Sequence, residues 1–520
     1  MLLPEIINVL IPASICTPRK QLDVGSLRVS LLATELLIRE DAYHLLPIET
    51  AALQLGLTED LRPGEPTIVP GHFFWGNAKQ FGSNALAFLQ DAKEKYGDVV
   101  TIRMLDKYWT IMLDVSSYEA FNNERNFSFS PVKAMINTNV FSYTLQQHEK
   151  VIAKISNHLN GVALYSAFEE FVKSLTRVVS ETEEHVKTTN TLDGQTPQLL
   201  DKDSVMTMKK TDEKLTGVKG FKDVLQDDWC EEGLQKVVAK VFFNSQFYSF
   251  IGRPEPGSKS NVNPDYFFDV YNEFHDYFYH LFAGLPIQIF PTAGKARDKL
   301  HASLDIPEIL RRPDSSEYIK KATEFILANG QTESDCRNHI LSLFHVMFNN
   351  LGAGFWCLYL LMHDKAARKS VLKELEDAVE TKRVEGHDGG SVAEFTVEDI
   401  NKLSYLGELY TYHLRMSTFK YDRFMNNPDF YKDGKKLRQS TFGFGTLCPA
   451  QKMSMLQLKW FTMVMVNNFK MELVDGDTAE LDVTKYGNEV IPPTNDVRIR
   501  MKPKEGAVRL ENINARVLAA

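Results

Sequence analysis

One cysteine stands in a setting built for chemistry. Cys448 lies in Thr441-Phe-Gly-Phe-Gly-Thr-Leu-Cys-Pro-Ala450, directly before an apolar run containing Met453, Leu456, Leu458, Trp460, Phe461 and Val464. Pro449 suits the first turn of a helix, where its missing N–H costs nothing. A cysteine just ahead of a helix N-terminus sits at the positive end of the dipole, which favours the thiolate. Gly443 and Gly445 let the preceding loop turn tightly and aim backbone N–H groups at the sulfur. A thiolate metal ligand needs such hydrogen bonds, because they tune its donor strength. A buried structural cysteine is the competing reading. No Cys-x-x-Cys pair or histidine cluster completes a zinc site, so a metal held here must bring its other ligands in a cofactor. Cys336 and Cys357, inside a long helix, and Cys230, beside Trp229, read as small buried hydrophobes. Five cysteines are too few for a disulfide scaffold.

The second chemical pattern is Asn349, Asn350, Gly352 and Gly354, in the middle of the apolar stretch Ser334–His363. That stretch is apolar on every side (Ile340, Leu341, Phe344, Met347, Phe348, Leu351, Phe355, Trp356), the mark of a helix buried in a large core. Each interior glycine costs about 1 kcal/mol against alanine. The cost is tolerated where a group approaches the backbone or the helix bends. Two readings stay open: a kinked core helix with a satisfied Asn pair, or a groove against which a flat ligand lies.

These residues must be positioned by a chain of 520 residues and 59.3 kDa with a net charge of −9 and a pI near 5.9. Ordinary globular composition excludes global disorder, and the acidic balance argues against a nucleic-acid partner. The length allows one large domain or about three of roughly 150 residues. Residues 2–15 are apolar but interrupted by Pro4, Glu5 and Pro12, too short for a spanning helix of about 20 residues. No basic region precedes them, so no signal peptide is expected. Arg62-Pro-Gly-Glu-Pro66 reads as a rigid loop. Spacing predicts a helix over 84–96 stopped at Gly97, then paired strands over 99–104 and 108–113. Residues 183–226 are polar and read as a surface insertion. Helical pattern resumes over 229–251 and over the aromatic stretch 266–281. The body is expected to be α-rich with strands at its two ends, without internal repeats.

Several stretches resemble the cytochrome P-450 superfamily, in the branch of sterol 7α- and 12α-hydroxylases and prostacyclin synthase. They are Arg62–Pro66 with QFGSNALAFL after it, LFAGLPIQIFPTAGKARDKL over 281–300, and the long helix with Gly354-Phe-Trp356. FKYDRF over 419–424, the Cys448 segment, and LDVTKYG with IPPTNDVRIR over 481–500 complete them, in the family's order from 62 to 502. The resemblance implies a mainly α fold with small β-sheets. It divides the chain into an atypical N-terminal segment (1–61), a haem domain (62–505, with the insertion 183–226) and a C-terminal tail (506–520). It makes Cys448 the proximal thiolate of haem iron, with Phe442, Gly445, Arg415 and His148 as further cofactor-binding residues. Thiolate donation favours O–O cleavage. The long helix becomes the distal helix, with Asn349 and Gly352 at the catalytic positions. His148, with Lys150 near by, also reads as part of a solvated helix face.

The chain departs from the family pattern in three places. In the haem loop Phe442 lies six residues before the cysteine rather than seven, Gly445 three rather than four, and Ala450 replaces the last glycine. The family's Glu-x-x-Arg becomes Tyr412-His-Leu-Arg415, leaving Arg415 and the later Arg423 without their shared carboxylate; Glu408 or Asp422 is a candidate substitute. Only 448 − 415 = 33 positions separate Arg415 from Cys448, and the strand block that the family places between Arg415 and Phe419 is missing. On the distal helix Leu351 and Gly352 supply neither acid nor alcohol, a departure shared within this branch. The resemblance therefore implies a haem-thiolate monooxygenase hydroxylating a sterol or similar lipid, with an NADPH reductase as partner. The alternatives are a prostacyclin-synthase-like isomerase acting on a lipid endoperoxide, and a non-catalytic degenerate chain. The implied location is the endoplasmic reticulum membrane, and the implied ligand a hydrophobic small molecule.

Overall fold

The computed structural model describes residues 65–72, 75–104, 107–114, 130–143, 161–189, 229–254, 262–386, 390–411, 430–432, 434–437, 448, 450–482 and 490–512. The chain divides into two compact units, Leu2–Val132 and Lys133–Ala520.

In the first unit the β-branched run Val99-Val-Thr-Ile102 forms the centre of a sheet. Strand β1 (Thr67–Ile68) pairs in parallel with β2 (Val99–Met104), and β2 pairs antiparallel with β3 (Lys107–Met112). The hairpin is the expected one, displaced by one residue because Lys107 closes the ladder opposite Met104. Helix α1 (Ala85–Tyr96) starts where the Asn84 side chain accepts the Ala87 N–H, and stops at Gly97, whose φ of 97° few other residues adopt. Leu89 and Ala92 on α1 bury against Val100, Ile102, Ile111 and Leu113.

The second unit is built on long helices: α2 (Gly161–Thr189), α3 (Leu234–Val238), α4 (Asn244–Ile251), α5 (Pro264–His275), α6 (Pro291–Ser303), α7 (Glu333–His363), α8 (Lys365–Thr381), α9 (Val397–Lys402), α10 (Ser404–Thr411) and α11 (Gln451–Asn468). A π-helical turn, Ala239–Phe243, joins α3 to α4. Three small sheets accompany them. One has the order β4 (Cys230–Gly233), β10 (Arg498–Pro503), β9 (Phe469–Leu473); the second β11 (Arg509–Asn512), β6 (Ser391–Phe395), β5 (Arg383–Glu385); the third β7 (Phe430–Lys432) and β8 (Lys435–Leu437). The mainly α fold class with small sheets is the one expected.

Local differences have physical reasons. Residues 230–233, expected to be helical, are a strand because Arg498–Met501 supplies an antiparallel partner. The helix begins only at Leu234, where the Asp496 carboxylate accepts the Gln235 and Val497 N–H groups. Gly233 is required there, since a Cβ would overlap the Asp496 side chain. The aromatic helix predicted over 266–281 breaks after His275 and resumes at Phe278–Phe282. The polar stretch begins as the end of α2, where Glu183 accepts the Asn468 side-chain amide; residues 190–228 lie outside the described residues.

The core lies where α2, the π turn, α7 and α11 meet. Phe242 stacks on Phe461 with centroids 4.5 Å apart, Phe171 meets Phe242 edge-on, and Phe168 meets Trp460 edge-on. A second aromatic cluster joins Phe243 and Phe247 to Phe267 and Tyr271 on α5 and Phe344 and Phe348 on α7. Each such ring contributes about 1.5–3 kcal/mol on leaving water. Burial on every side, read from the sequence of α7, is what the structure has: Trp356, Leu358, Leu341 and Cys336 are all inaccessible. Among the described residues α7 is the one helix long and apolar enough to cross a membrane, and most of that stretch is buried in protein.

Candidate functional site

The long helix is set first. Thr332 and Asp335 cap its N-terminus reciprocally, each side chain taking the other's backbone N–H, so α7 starts at Glu333. It then meets α11 along one seam. Asn350 Nδ2 donates to Gln457 Oε1 (3.2 Å), Gly354 faces Phe461, and Cys357 Sγ lies 3.5 Å from Thr462 Oγ1. The paired positions rise together along both helices, so the two run in the same direction. Gln246 Nε2 on α4 donates to the same Gln457 oxygen (3.1 Å), joining three helices through buried amides.

The two glycines of α7 serve different neighbours. A Cβ at Gly354 would meet Phe242 Cδ1 at 3.1 Å and Phe461 Cε1 at 3.4 Å, so this glycine admits the stacked ring pair. A Cβ at Gly352 would meet Val490 Cβ and Cγ1 at 3.1 Å. Asn349 Oδ1 accepts the Val490 N–H (2.8 Å), and Trp356 Nε1 donates to Ile491 O (2.7 Å). Asn349, Gly352 and Trp356 share one helix face, and the segment from Val490 lies along it. That segment is itself held as one arm of a ladder: Asp482 N donates to Pro492 O and Thr494 N to Glu480 O. The sequence pattern pointed to Asn349 and Gly352 but gave no sign of Val490, 141 residues away along the chain.

Cys448 is three residues ahead of α11 and half-buried. Burial pushes its thiol above the ordinary value; the backbone N–H groups of Ala450 and Gln451 at the sulfur and the charge of Lys133 pull the other way. The expected N-terminal stabilisation is therefore present, but burial outweighs it. A metal would complete the balance by displacing the proton. The other thiols differ. Cys230, Cys336 and Cys357 are buried, and burial pushes Cys230 up to about 11 and Cys336 up to about 12.

The donor set fits a haem. Among the described residues no group of three or more His, Cys, Asp or Glu side chains could hold a bare metal ion. A single half-buried cysteine ahead of a helix suits a metal whose other ligands come with a cofactor. Arg415, Phe442, Gly445 and His148, expected to share in cofactor binding, lie outside the described residues, as do the junction from Arg415 to Phe419 and residues 1–61. The structure brings Asn349 and Gly352 together on α7, which packs directly on the helix that follows Cys448.

Sequence reasoning missed a further buried charge, Lys459 on α11. A lysine inside the apolar run from Met453 to Val466 was the signal. Its Nζ donates to the carbonyls of Ile400 (3.2 Å), Asn401 (3.3 Å) and Leu403 (3.0 Å).

No protein-family model matches the chain. Curated proteins do. Cytochrome P450 7A1 of Rattus norvegicus is 24% identical over 515 residues, an alignment covering 85% of this chain and 94% of the relative. The 7-alpha-hydroxycholest-4-en-3-one 12-alpha-hydroxylase of Homo sapiens is 23% identical, covering 86% and 95%. Prostacyclin synthase of Rattus norvegicus is 22% identical, covering 85% and 95%. The chain is thus related to the cytochrome P450s. Within them its relatives are sterol 7α- and 12α-hydroxylases and prostacyclin synthase, the branch its motifs resemble.

Proposed function

We propose that this chain is a haem-thiolate oxidoreductase that hydroxylates a sterol or similar lipid, with dioxygen as oxidant and electrons from an NADPH reductase. The observation that carries the reading is Cys448, placed three residues ahead of α11 with its carbonyl accepting the Gln451 N–H of that helix's first turn, in a chain aligned along 85% of its length with sterol-hydroxylating relatives. Residues 62–505 form the haem domain in this reading, and the protein works at the endoplasmic reticulum membrane, as the family resemblance implies.

Cys448 would hold the haem iron; Arg415, Phe442, Gly445 and His148 are the proposed remainder of the cofactor site. Bound haem supplies oxygen activation, or rearrangement at a peroxide bond. The chain's own residues shape the site around it. The Ala450 and Gln451 backbone at the start of α11 favours negative charge on the sulfur. Asn349 fixes the backbone at Val490, and Gly352 lets that backbone lie close to α7. Neither Leu351 nor Gly352 carries a side chain that can hold or move a proton. The aromatic cluster of α5 and α7 offers apolar surface suited to a hydrophobic ligand.

The second reading, isomerisation of a lipid endoperoxide, needs neither external proton nor reductant, and the residues at 351 and 352 are compatible with it. Reconstituted protein given cholesterol-type sterols, reductase and NADPH is expected to yield hydroxylated sterol. Conversion of an endoperoxide at full rate without NADPH, with no sterol product, would replace the first reading by the second. The third reading, a non-catalytic chain, predicts no product from either.

A further inference from the structure

Lys459 lies in α11, 459 − 448 = 11 residues after the proposed iron ligand, and is 6% exposed. An isolated ammonium buried in an apolar core is costly unless all its protons are hydrogen-bonded. Here three protons meet three carbonyls at the end of α9 and the turn into α10, those of Ile400, Asn401 and Leu403; Ile400 O and Leu403 O also accept the N–H groups of Leu403 and Gly407, using their second lone pairs. Positive charge at a helix C-terminus is favourable, so the lysine closes α9 as a cap. Burial lowers its affinity for the proton, and the negative charge of Glu374 opposes that.

The other side of the same turn is closed by Glu374 on α8. Its carboxylate accepts the N–H groups of Ser404 (2.6 Å), Tyr405 (3.0 Å) and Leu406 (3.0 Å), the free donors at the start of α10. A carboxylate is the complementary charge for that end. The lysine passes Gly407 at van der Waals range, 3.4 Å from where a Cβ would sit. One cation and one anion, from two different helices, thus grip residues 400–406 from both ends. The α9 start is fastened too, by Thr396 and Asp399, with Asp399 paired to Lys382 (2.8 Å).

We propose that Lys459 and Glu374 are positioning residues: a two-ended clamp that fixes the α9–α10 turn to the helix following Cys448 and so steadies that helix, and the cysteine ahead of it, for the cofactor. Helix α10 ends at Thr411, four positions before Arg415. The clamp anchors the same helix from its other end. The functional half of this inference rests on the haem-thiolate reading; the clamp itself does not.

The test uses the full chain, reconstituted with haem, as wild type, K459M, K459R and E374A. Hydrogen exchange followed by mass spectrometry reads residues 404–411, and the reduced carbon monoxide difference spectrum reads the fraction of thiolate-ligated haem. K459M and E374A are expected to speed exchange in 404–411 at least tenfold while leaving residues 340–360 unchanged, and to lower the thiolate-ligated fraction at least threefold. K459R, which keeps the cationic donors, is expected to retain more than half of that fraction. Wild-type exchange rates in E374A, a half-buried position whose loss leaves the core intact, would overturn the clamp even if K459M fails to fold. Faster exchange with an unchanged thiolate fraction would overturn the positioning role. Wild-type protein that takes up no haem would overturn the haem reading and the positioning half with it, while the exchange data still decide the clamp.

Discussion

Gly354→Ala tests why α7 carries glycine in its interior. Alanine is worth about 1 kcal/mol over glycine at a helix interior, so an open site would be stabilised by that amount. The site is closed. A Cβ at 354 meets Phe242 Cδ1 at 3.1 Å, Phe242 Cε1 at 3.4 Å and Phe461 Cε1 at 3.4 Å. Those rings are stacked 4.5 Å apart at 7° and both are inaccessible to solvent, so neither can retreat without disturbing Phe171 behind it. Overpacking of this kind costs about 1–3 kcal/mol. Setting that against the propensity gain leaves Gly354→Ala destabilising by roughly 1 kcal/mol, with an upper value near 2. Gly354→Val adds two methyl groups to the same gap and is expected to cost about 3 kcal/mol or more. Gly352→Ala is the companion variant. Its Cβ meets the Val490 side chain at 3.1 Å, and that segment is held by Asn349 and Trp356, so the propensity gain should be cancelled and the variant be destabilised by up to about 1 kcal/mol. Urea titration followed by the fluorescence of the buried Trp356 and Trp460 measures all three. A Gly354→Ala protein more stable than wild type by the full helix-propensity gain would refute the packing account and restore the reading in which a ligand lies there.

Three further outcomes follow from the same contacts. Trp356→Phe removes the buried 2.7 Å bond to Ile491 O and strands a carbonyl, which should cost about 1–3 kcal/mol and speed hydrogen exchange in residues 490–494. Burial pushes the Asp496 carboxyl up to about 6, above its ordinary value near 4. The folded chain therefore favours the protonated form: the contribution is complete below pH 4 and is lost as pH rises through about 6. After discounting for partial exposure, on the order of 2 kcal/mol should disappear between pH 4 and 7. Asp496→Asn should flatten the stability–pH curve in that window alone; an unaltered curve would show that Asp496 is not the group responsible. Finally, Cys230 and Cys336 should resist iodoacetamide in native protein and react fully only after denaturation, because both are buried and their thiols are held protonated. Mass mapping of the alkylated peptides checks this.

Much of the fold was legible because its signals are local. Gly97 and Asn84 delimit α1, and the alternation in Val99–Met112 gives the hairpin. The apolar girth of α7 announced a buried helix. Residues 230–233 were not legible, because their strand depends on Arg498–Met501 far along the chain and Cys-Glu-Glu-Gly carries no strand pattern of its own. The site was legible to the extent that residue type alone marks it. Cys448 stood out by its loop and the helix after it, yet its proton affinity did not follow from sequence, since burial opposes the N–H groups. Asn349 and Gly352 were recognised as unusual, but their partner Val490 is invisible in any local pattern. Lys459 could have been flagged as a charge within an apolar helix. Its three carbonyl partners belong to a turn that only the tertiary structure brings to it.

The central claim is that Cys448 ligates haem iron through a thiolate. The most direct measurement is the reduced carbon monoxide difference spectrum of the purified, haem-reconstituted full chain, recorded beside Cys448→Ala. The account predicts a thiolate-type Soret band in the wild type that is absent from Cys448→Ala, while Cys230→Ala and Cys336→Ala retain it. A wild-type spectrum without that band, or a band that survives Cys448→Ala, would contradict it.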